Sequence, residues 1–149
     1  MPIHEERRLL PYTPKQMFDL VAAVEDYPKF LPWCIESHIH NRTDAMITAD
    51  LVIGFKVFRE RFTSEVALHH PRLIEVKYTK GPMRYLNNRW KFIPADNNQC
   101  LIDFYVDFEF RSLLLQRLIG VVFKDAVHRM VDSFENRAEE IYPQSTTNR

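Results

Sequence analysis

The stretch that decides the fold is CLIDFYVDFEF, residues 100–110, which is followed at once by the apolar run RSLLLQRLIG, residues 111–120. Apolar side chains take every second position: Cys100, Ile102, Phe104, Val106, Phe108 and Phe110. Acidic residues occupy three of the positions between them, at Asp103, Asp107 and Glu109. This alternation predicts an antiparallel strand with one face buried and the other in water.

A long helix is predicted directly after this strand, capped by Ser112 and running to Ile141. From Phe123 onward its apolar residues form one narrow stripe, which is typical of a helix lying on a sheet. In residues 113–122 the apolar side chains instead surround nearly the whole helix. We expect this half to be covered by residues 24–34 or by a second subunit, or to serve as a movable gate or a membrane contact.

The sequence upstream predicts the rest of an α+β fold. Residues 3–12 read as a strand, and TPKQ after them forms a capping box in which Thr13 caps a short helix that continues to about Val24. Residues 35–110 show period two, broken by turn signals into about six antiparallel strands. We therefore expect a curved antiparallel sheet of about seven strands, wrapped around a long C-terminal helix.

Composition limits the class of protein. With 149 residues and twenty basic and twenty acidic side chains, the chain has no net charge to drive non-specific nucleic-acid binding. Cys34 and Cys100 are too few for a disulfide framework, and no apolar run is long enough to span a bilayer. We expect one domain over residues 1–141 and a disordered tail over 142–149. The expected location is cytoplasmic, with peripheral contact with a membrane left open.

Three motifs carry a family resemblance: VEDYPKFLPWC at 24–34, GPMRYLNNRWKF at 81–92 and FYVDFEFRSLLLQRLIG at 104–120. In that order they resemble the coenzyme Q-binding protein family, a branch of the START-like or polyketide cyclase/dehydrase-like superfamily. The resemblance implies a helix-grip fold with a deep apolar cavity that binds ubiquinone or a similar polyprenyl lipid in support of respiration. Some bacterial relatives in this family are described as ribosome association toxins that bind the large subunit.

The candidate ligand site combines rings from residues 24–34, the inward faces of the strands and the apolar half of the last helix. Its predicted cavity residues are Phe30, Leu31, Trp33, Phe62, Ser64, Val66, Asn88, Trp90, Phe92, Ile102, Phe104, Phe108, Leu118 and Val122. Any one of these rings is also a natural core residue. Trp90 is the strongest candidate, because a buried indole N–H needs an acceptor and can donate to a quinone oxygen. Leu31 and Trp33 are expected at the cavity entrance.

Catalytic and metal-binding arrangements are weak in this sequence. His38 and His40 share a strand face, but no third ligand stands at a recognisable spacing. Cys34 is expected to be a small core residue rather than a nucleophile. Glu60 falls on the inward face of its predicted strand, where it would be neutral or paired with a nearby arginine and could act as a general base. Alternatively, a β-bulge turns Glu60 outward.

Three functions follow as hypotheses. The first is a non-catalytic carrier that needs no cofactor, holds ubiquinone or a related lipid as its ligand, and delivers it to respiratory-chain enzymes. The alternatives are a toxin that binds the large ribosomal subunit and an enzyme similar to polyketide cyclases or dehydratases. Arg111, Arg117 and Lys124 could meet lipid headgroups at a membrane, and a homodimer is left open.

Overall fold

A computed structural model describes residues 3–55 and 58–143 of the chain. The strands and helices are β1 (Ile3–Leu10), α1 (Pro14–Ala22), β2 (Cys34–Arg42), β3 (Met46–Phe55), β4 (Phe58–His69), β5 (Leu73–Lys80), β6 (Met83–Ala95), β7 (Gln99–Phe110) and α2 (Leu113–Ile141). Two short 3-10 segments, Val24–Lys29 and Asp96–Asn98, complete the order of elements.

The strands form one seven-stranded antiparallel sheet in the order β1-β7-β6-β5-β4-β3-β2. Consecutive strands from β2 to β7 are neighbours, as the short turns between them predict. β1 and β2 are the exception, because they are joined by residues 11–33 and yet lie at opposite edges of the sheet. The linking segment, which includes α1, therefore has to pass from one edge of the sheet to the other.

The start of α1 follows from its sequence. The Thr13 hydroxyl accepts a hydrogen bond from the Gln16 backbone N–H at 3.1 Å, and the Gln16 side chain accepts one from the Thr13 N–H at 2.9 Å. This is the predicted capping box, with Pro14 in the first helical position. The helix ends at Ala22, slightly earlier than predicted, because the chain then tightens into the 3-10 segment Val24–Lys29.

The C-terminal half of α2 lies in the concave face of the sheet. The Phe134 ring meets the ring of Trp90 from β6 at 4.9 Å between centroids, and the rings of Tyr27 and Phe30 at 5.4 and 5.2 Å. All three contacts are edge-to-face, which is a favoured geometry for aromatic pairs. Phe134 therefore joins the sheet, the 3-10 segment and the last helix in one core.

A network of charges fixes the same half of α2 to the edge strand β1. One nitrogen of the Arg8 guanidinium donates to Asp132 at 2.7 Å and to Glu135 at 3.0 Å, both on α2. The other nitrogen donates to Glu6 on β1, and Glu6 also bonds the His4 ring at 2.9 Å. Charge-assisted hydrogen bonds of this kind are stronger than neutral ones, so β1 and α2 are held together by polar as well as apolar contacts.

The predicted fold class is confirmed: seven antiparallel strands curve around a long C-terminal helix, with a short helix after the first strand. The first strand ends at Leu10, two residues before its predicted end. Tyr142, which the sequence assigned to the tail, packs against Tyr12 at 6.3 Å between ring centroids. The rest of the predicted disordered tail, residues 144–149, lies outside the described residues.

Candidate ligand-binding site

A cavity of about 290 Å³ lies between the inner face of the sheet and α2, and we call it the main cavity. Strands β3 to β7 provide most of its wall, and Ile119, Val127, Met130 and Phe134 of α2 close it from the other side. Its volume is at the lower end of the range for small-molecule pockets, which starts at roughly 300 Å³. The main cavity can therefore hold one ring-sized group and a short apolar extension.

The polar side chains on the otherwise apolar wall of the main cavity include Ser64, Asn88 and Trp90. Asn88 donates through Nδ2 to the Tyr105 carbonyl at 2.9 Å, which fixes the amide and leaves its oxygen as an acceptor. Within residues 3–55 and 58–143, neither the Ser64 hydroxyl nor the Trp90 indole N–H makes a hydrogen bond, although both residues are buried. Buried donors of this kind are normally satisfied, so they are suited to an oxygen atom of a bound ligand.

The sheet register fixes the spacing of these polar groups. Asn88 and Trp90 are two residues apart on one face of β6, about 7 Å along the strand. Asn88 pairs with Val76 of β5, which in turn pairs with Val66 of β4, two residues beyond Ser64. Ser64 therefore lies two strands away and two residues along the sheet from Asn88, at about 12 Å, and about 16 Å from Trp90, so Asn88 lies between the two donors.

A second cavity of about 100 Å³ lies between the N-terminal half of α2 and the β3–β4 end of the sheet, and we call it the throat. It shares four wall residues with the main cavity: Trp33, Ile53, Phe110 and Ile119. Leu118 and Val122 of α2 line the throat as well, and Leu118 is 39% exposed. The throat therefore lies between the main cavity and the surface beside Leu118.

Trp33 is placed at this junction by backbone contacts. Its carbonyl accepts a hydrogen bond from the Gly54 N–H at 2.9 Å, which joins the 24–34 segment to the end of β3. A second close backbone approach occurs at Gly81 in the turn before β6, where φ is +149°. A Cβ at Gly81 would lie 2.6 Å from the Cβ of Phe62, so only glycine lets this turn pack against a cavity residue.

Glu60 is the one carboxylate among the described residues that line either cavity, and it lies in the throat. β4 pairs with β3 in unbroken register at Ile53 and Glu60, so the predicted bulge that turns Glu60 outward is wrong. None of the three described arginines expected as partners, Arg59, Arg61 and Arg89, forms an ion pair with Glu60: Arg61 pairs with Asp50 at 3.0 Å, and Arg89 lies over the Tyr105 ring. Glu60 could accept a proton there, but it lies about 13 Å along β4 from Ser64.

Two further polar groups of the main cavity wall, the Cys34 thiol and the Tyr27 hydroxyl, are chemically unreactive. Burial raises the pKa of the Cys34 thiol to about 11, so this sulfur stays protonated and is a poor nucleophile at neutral pH. Burial also raises the pKa of Tyr27, and the Tyr27 hydroxyl donates to the Val21 carbonyl. Both side chains therefore act as apolar wall, in agreement with the expectation that Cys34 is a core residue.

Most of the predicted site residues lie on the cavity walls. The main cavity is lined by Leu31, Trp33, Phe62, Ser64, Val66, Asn88, Trp90, Phe104 and Phe108. The throat is lined by Trp33, Leu118 and Val122. That these side chains contact a ligand stays a prediction.

Three predicted residues lie elsewhere in the fold. Phe92 is fully buried against Phe18 of α1, with ring centroids 5.6 Å apart, and Ile102 is its neighbour across the β6–β7 pairing. These two residues pack at the end of the sheet that α1 covers, so they are core. Phe30 packs against Phe134 and under the Arg137 guanidinium, 5.3 Å from its ring centroid, on the side of the 3-10 segment away from the cavity.

Sequence reasoning missed the walls from β3, β5 and the C-terminal half of α2. Alternation in MITADLVIGF, residues 46–55, puts Ala49, Leu51 and Ile53 on one face, and this signal would have identified the β3 wall. Phe134 was assigned to a core stripe of the helix. It is both core and cavity wall, and the helical period does not separate these two roles.

The histidines that share a strand face are each paired with a carboxylate. His38 bonds Glu36 at 2.8 Å, and His40 lies 3.0 Å from Asp50. Burial opposes the charge of Asp50, but hydrogen bonds from Thr63, His40 and Arg61 outweigh it and lower its pKa to about 2. No group of three or more potential metal ligands occurs in the described part of the chain.

The comparisons with known proteins agree with this architecture. A family model described as polyketide cyclase / dehydrase and lipid transport matches residues 10–135. The chain belongs to this family. The ribosome association toxin RatA of Rickettsia prowazekii is 36% identical over 141 residues, covering 92% of this chain and 96% of the relative.

Two further matches are informative. The mitochondrial coenzyme Q-binding protein COQ10 homolog B of Xenopus laevis is 34% identical over 143 residues, covering 93% of this chain and 59% of the relative. The crystal structure of the Zhui aromatase/cyclase from Streptomyces superposes with a TM-score of 0.82 at 14% identity, covering 93% of each chain, and shows the shared fold alone. Among the described residues of this family member, no helix has the length and hydrophobicity to cross a membrane.

Proposed function

We propose that the protein binds ubiquinone or a similar polyprenyl lipid in the main cavity and carries it to respiratory-chain enzymes without chemical change. The observation that carries this proposal is an apolar cavity with the polar side chains Ser64, Asn88 and Trp90 on its wall. Burial of an apolar ligand contributes about 25 cal/mol per Å² removed from water. The polar groups then select a ligand whose head group carries oxygen atoms.

The orientation of the ligand follows from the two cavities. The Trp90 N–H and the Ser64 hydroxyl are donors, and a quinone ring offers carbonyl oxygens as acceptors. The main cavity has room for the ring, while a polyprenyl tail exceeds its volume of about 290 Å³. The tail would therefore leave through the throat past Trp33 and Leu118, whose apolar side chains match its chemistry.

A carrier role is supported by the chemistry of the side chains that line the main cavity. Among the described residues that line it, there is no carboxylate, imidazole, ammonium or guanidinium group. General acid-base chemistry needs such a group within hydrogen-bond reach of the substrate. The name of the Xenopus relative, a coenzyme Q-binding protein, supports the same ligand class.

The first experiment is native mass spectrometry of gently isolated protein, followed by organic extraction and analysis of the extract. The proposal predicts a bound lipid with an oxygenated ring, and saturable binding of added ubiquinone analogues. Recovery of no lipid, together with no binding of added quinone, would contradict it. The same spectrum reports the subunit count, which tests the homodimer.

A matched pair of substitutions tests the orientation. Trp90→Phe removes the N–H and keeps an aromatic ring, so it should weaken quinone binding about tenfold through the loss of one hydrogen bond. Trp33→Phe makes the same chemical change in the throat, where the tail would pass, and should alter affinity less than about threefold. Equal losses of quinone affinity in the two variants would exclude binding of the head group at Trp90.

A second candidate is association with the large ribosomal subunit. The observation in its favour is the 36% identity with a relative named ribosome association toxin, over nearly the whole chain. It predicts co-sedimentation with large subunits that weakens as salt rises, since phosphate contacts release counterions. Absence of co-sedimentation even at low salt would remove this candidate.

A further inference from the structure

The N-terminal half of α2 exposes a contiguous apolar surface, which we call the apolar ridge. It consists of Leu113, Leu114, Leu118 and Val121, with exposed fractions of 73%, 62%, 39% and 85%. Residues three, four and seven apart lie on the same side of a helix, so Leu114, Leu118 and Val121 are neighbours. A contiguous exposed apolar patch marks an interaction surface rather than a packing surface.

Basic side chains accompany the apolar ridge. Arg117 and Lys124 are four residues before and three residues after Val121, and Arg111 lies just before the helix. Arg117 and Lys124 have no hydrogen bond or ion pair with any described residue, and the Arg111 guanidinium donates to the Gly81 carbonyl at 3.0 Å. An apolar helix face with flanking cations matches the boundary of an anionic bilayer, where acyl chains lie beneath negative headgroups.

Other occupants fit this surface less well. A second copy docked through the same ridge would bring the Arg117 and Lys124 of both chains together, because homodimer interfaces are mostly isologous. Nucleic acid would match the cations but would leave four apolar side chains without a complementary surface. The combination on this half-helix therefore favours lipid.

The apolar ridge is continuous with the proposed ligand site. Leu118 belongs both to the ridge and to the throat, and the next turn of the helix adds Val122 to the throat wall. We propose that the apolar ridge, with Arg117 and Lys124, docks on an anionic bilayer so that the throat opens into its hydrocarbon. This inference rests on the proposed carrier function and gives its ligand a route that avoids water.

The test is co-sedimentation with vesicles of phosphatidylcholine alone and of phosphatidylcholine with phosphatidylglycerol. The wild-type chain should bind the anionic vesicles more strongly, and Arg117→Gln with Lys124→Gln should remove most of that difference. Val121→Glu places a charge at the most exposed position of the ridge and should reduce binding by at least about tenfold. Val121 is 85% exposed, so this substitution leaves the core intact.

Leu9→Glu is the matched control. Leu9 is 54% exposed on β1 and pairs with Leu101, about 30 Å along β7 from the start of α2. This variant should bind vesicles within about twofold of the wild type. The proposed docking surface would be overturned if Val121→Glu bound vesicles as strongly as the wild type, or if both variants lost vesicle binding equally. Two other results would also overturn it. One is a Val121→Glu variant that changes mainly from dimer to monomer. The other is a wild-type chain that never binds vesicles while Val121→Glu loses ribosome binding.

The carrier function is measured separately in the same variants. Val121→Glu should retain quinone in the main cavity while it loses vesicle binding, because Val121 lines neither cavity. Vesicle binding without any quinone binding would contradict the carrier function and keep the docking surface. Quinone binding without vesicle binding by the wild-type chain would contradict the docking surface alone.

Discussion

The two halves of α2 are made of similar apolar residues but have opposite environments. In the C-terminal half, Phe123, Val131, Phe134 and Ala138 are buried against the sheet. In the N-terminal half, only Leu115 is buried, and the apolar ridge faces outward. The difference follows from position, because the first half lies over the throat near the surface, whereas the second half lies on the inner face of the sheet, where it closes the main cavity and packs on the core.

This comparison indicates that the two halves of α2 have different roles. The C-terminal half is held by ring contacts of Phe134 and by the hydrogen bonds of Arg8, so it contributes to the stability of the domain. The N-terminal half is tied to the sheet mainly by its cap, where the Ser112 hydroxyl accepts from the Leu115 N–H and Gln116 accepts from the Phe110 N–H. We expect ligand exchange to depend on this half.

The largest effect is expected from removing the ring that anchors the C-terminal half. Phe134→Ala should lower the free energy of unfolding by about 3–5 kcal/mol, because the ring is buried against three other rings and leaves a void. Leu114→Ala, in the exposed half, should change it by less than about 0.5 kcal/mol. Urea unfolding measures both, and comparable losses would contradict the division between the halves.

The second effect is the loss of the polar connection between β1 and α2. Arg8→Met removes the hydrogen bonds to Asp132 and Glu135 and should cost about 2 kcal/mol of unfolding free energy at neutral pH. Arg129→Met is the control, because Arg129 pairs with the exposed Asp125 at 3.0 Å and should cost less than about 0.5 kcal/mol. Similar costs in the two variants would show that the network adds nothing beyond surface ion pairs.

The same network gives a pH dependence with a defined sign. Burial pushes the pKa of Glu6 up, but hydrogen bonds from His4 and Arg8 outweigh it and hold the pKa below its ordinary value of 4.5. A lowered folded-state pKa contributes stability above the unfolded-state pKa, and this contribution is lost as the pH falls through the folded-state pKa. The difference in the free energy of unfolding between the wild type and Arg8→Met should therefore decrease below about pH 4.5. A free-energy difference that stays constant at lower pH would contradict this role of Glu6.

The third effect concerns ligand retention at the throat. Trp33→Ala should release bound lipid about tenfold more readily, because it removes a large apolar wall shared by both cavities. Phe30→Ala is a matched control from the same segment, since Phe30 packs on Phe134 outside the cavity. We expect Phe30→Ala to lower the melting temperature more than lipid retention, and Trp33→Ala to do the reverse. The opposite ranking would show that Trp33 is a core residue that does not control lipid retention.

The sequence could predict which faces of the strands point inward, but it could not predict where the interior is empty. Alternation in β4, β6 and β7 identified Phe62, Trp90 and Phe104 as inward, and the structure places all three on the main cavity wall. The same alternation also selected Phe92 and Ile102, which are core because α1 covers that end of the sheet. A residue's face is a local property, whereas a cavity depends on what the opposite layer fills.

The smallest effect is expected at Gly120, which lies in the N-terminal half of α2, three residues before the C-terminal half begins at Phe123. Gly120 is exposed, and a Cβ added there would meet nothing within 4 Å, so Gly120→Ala introduces no clash. Because glycine is about 0.5–1 kcal/mol less favourable than alanine inside a helix, the substitution should stabilise the fold by that amount. It should also slow lipid exchange several-fold if the N-terminal half has to move away from the throat.

Asn136→Ala separates these two consequences. Asn136 is exposed in the C-terminal half of α2, and alanine raises helix propensity there by a similar amount. Both variants should therefore gain stability in urea unfolding, but only Gly120→Ala should slow the transfer of a fluorescent lipid analogue to vesicles. Equal slowing would mean that exchange follows global unfolding. Slowing confined to Gly120→Ala would mean that the glycine keeps one half of the helix free to open while the other half, fixed by Phe134 and Arg8, holds the domain together.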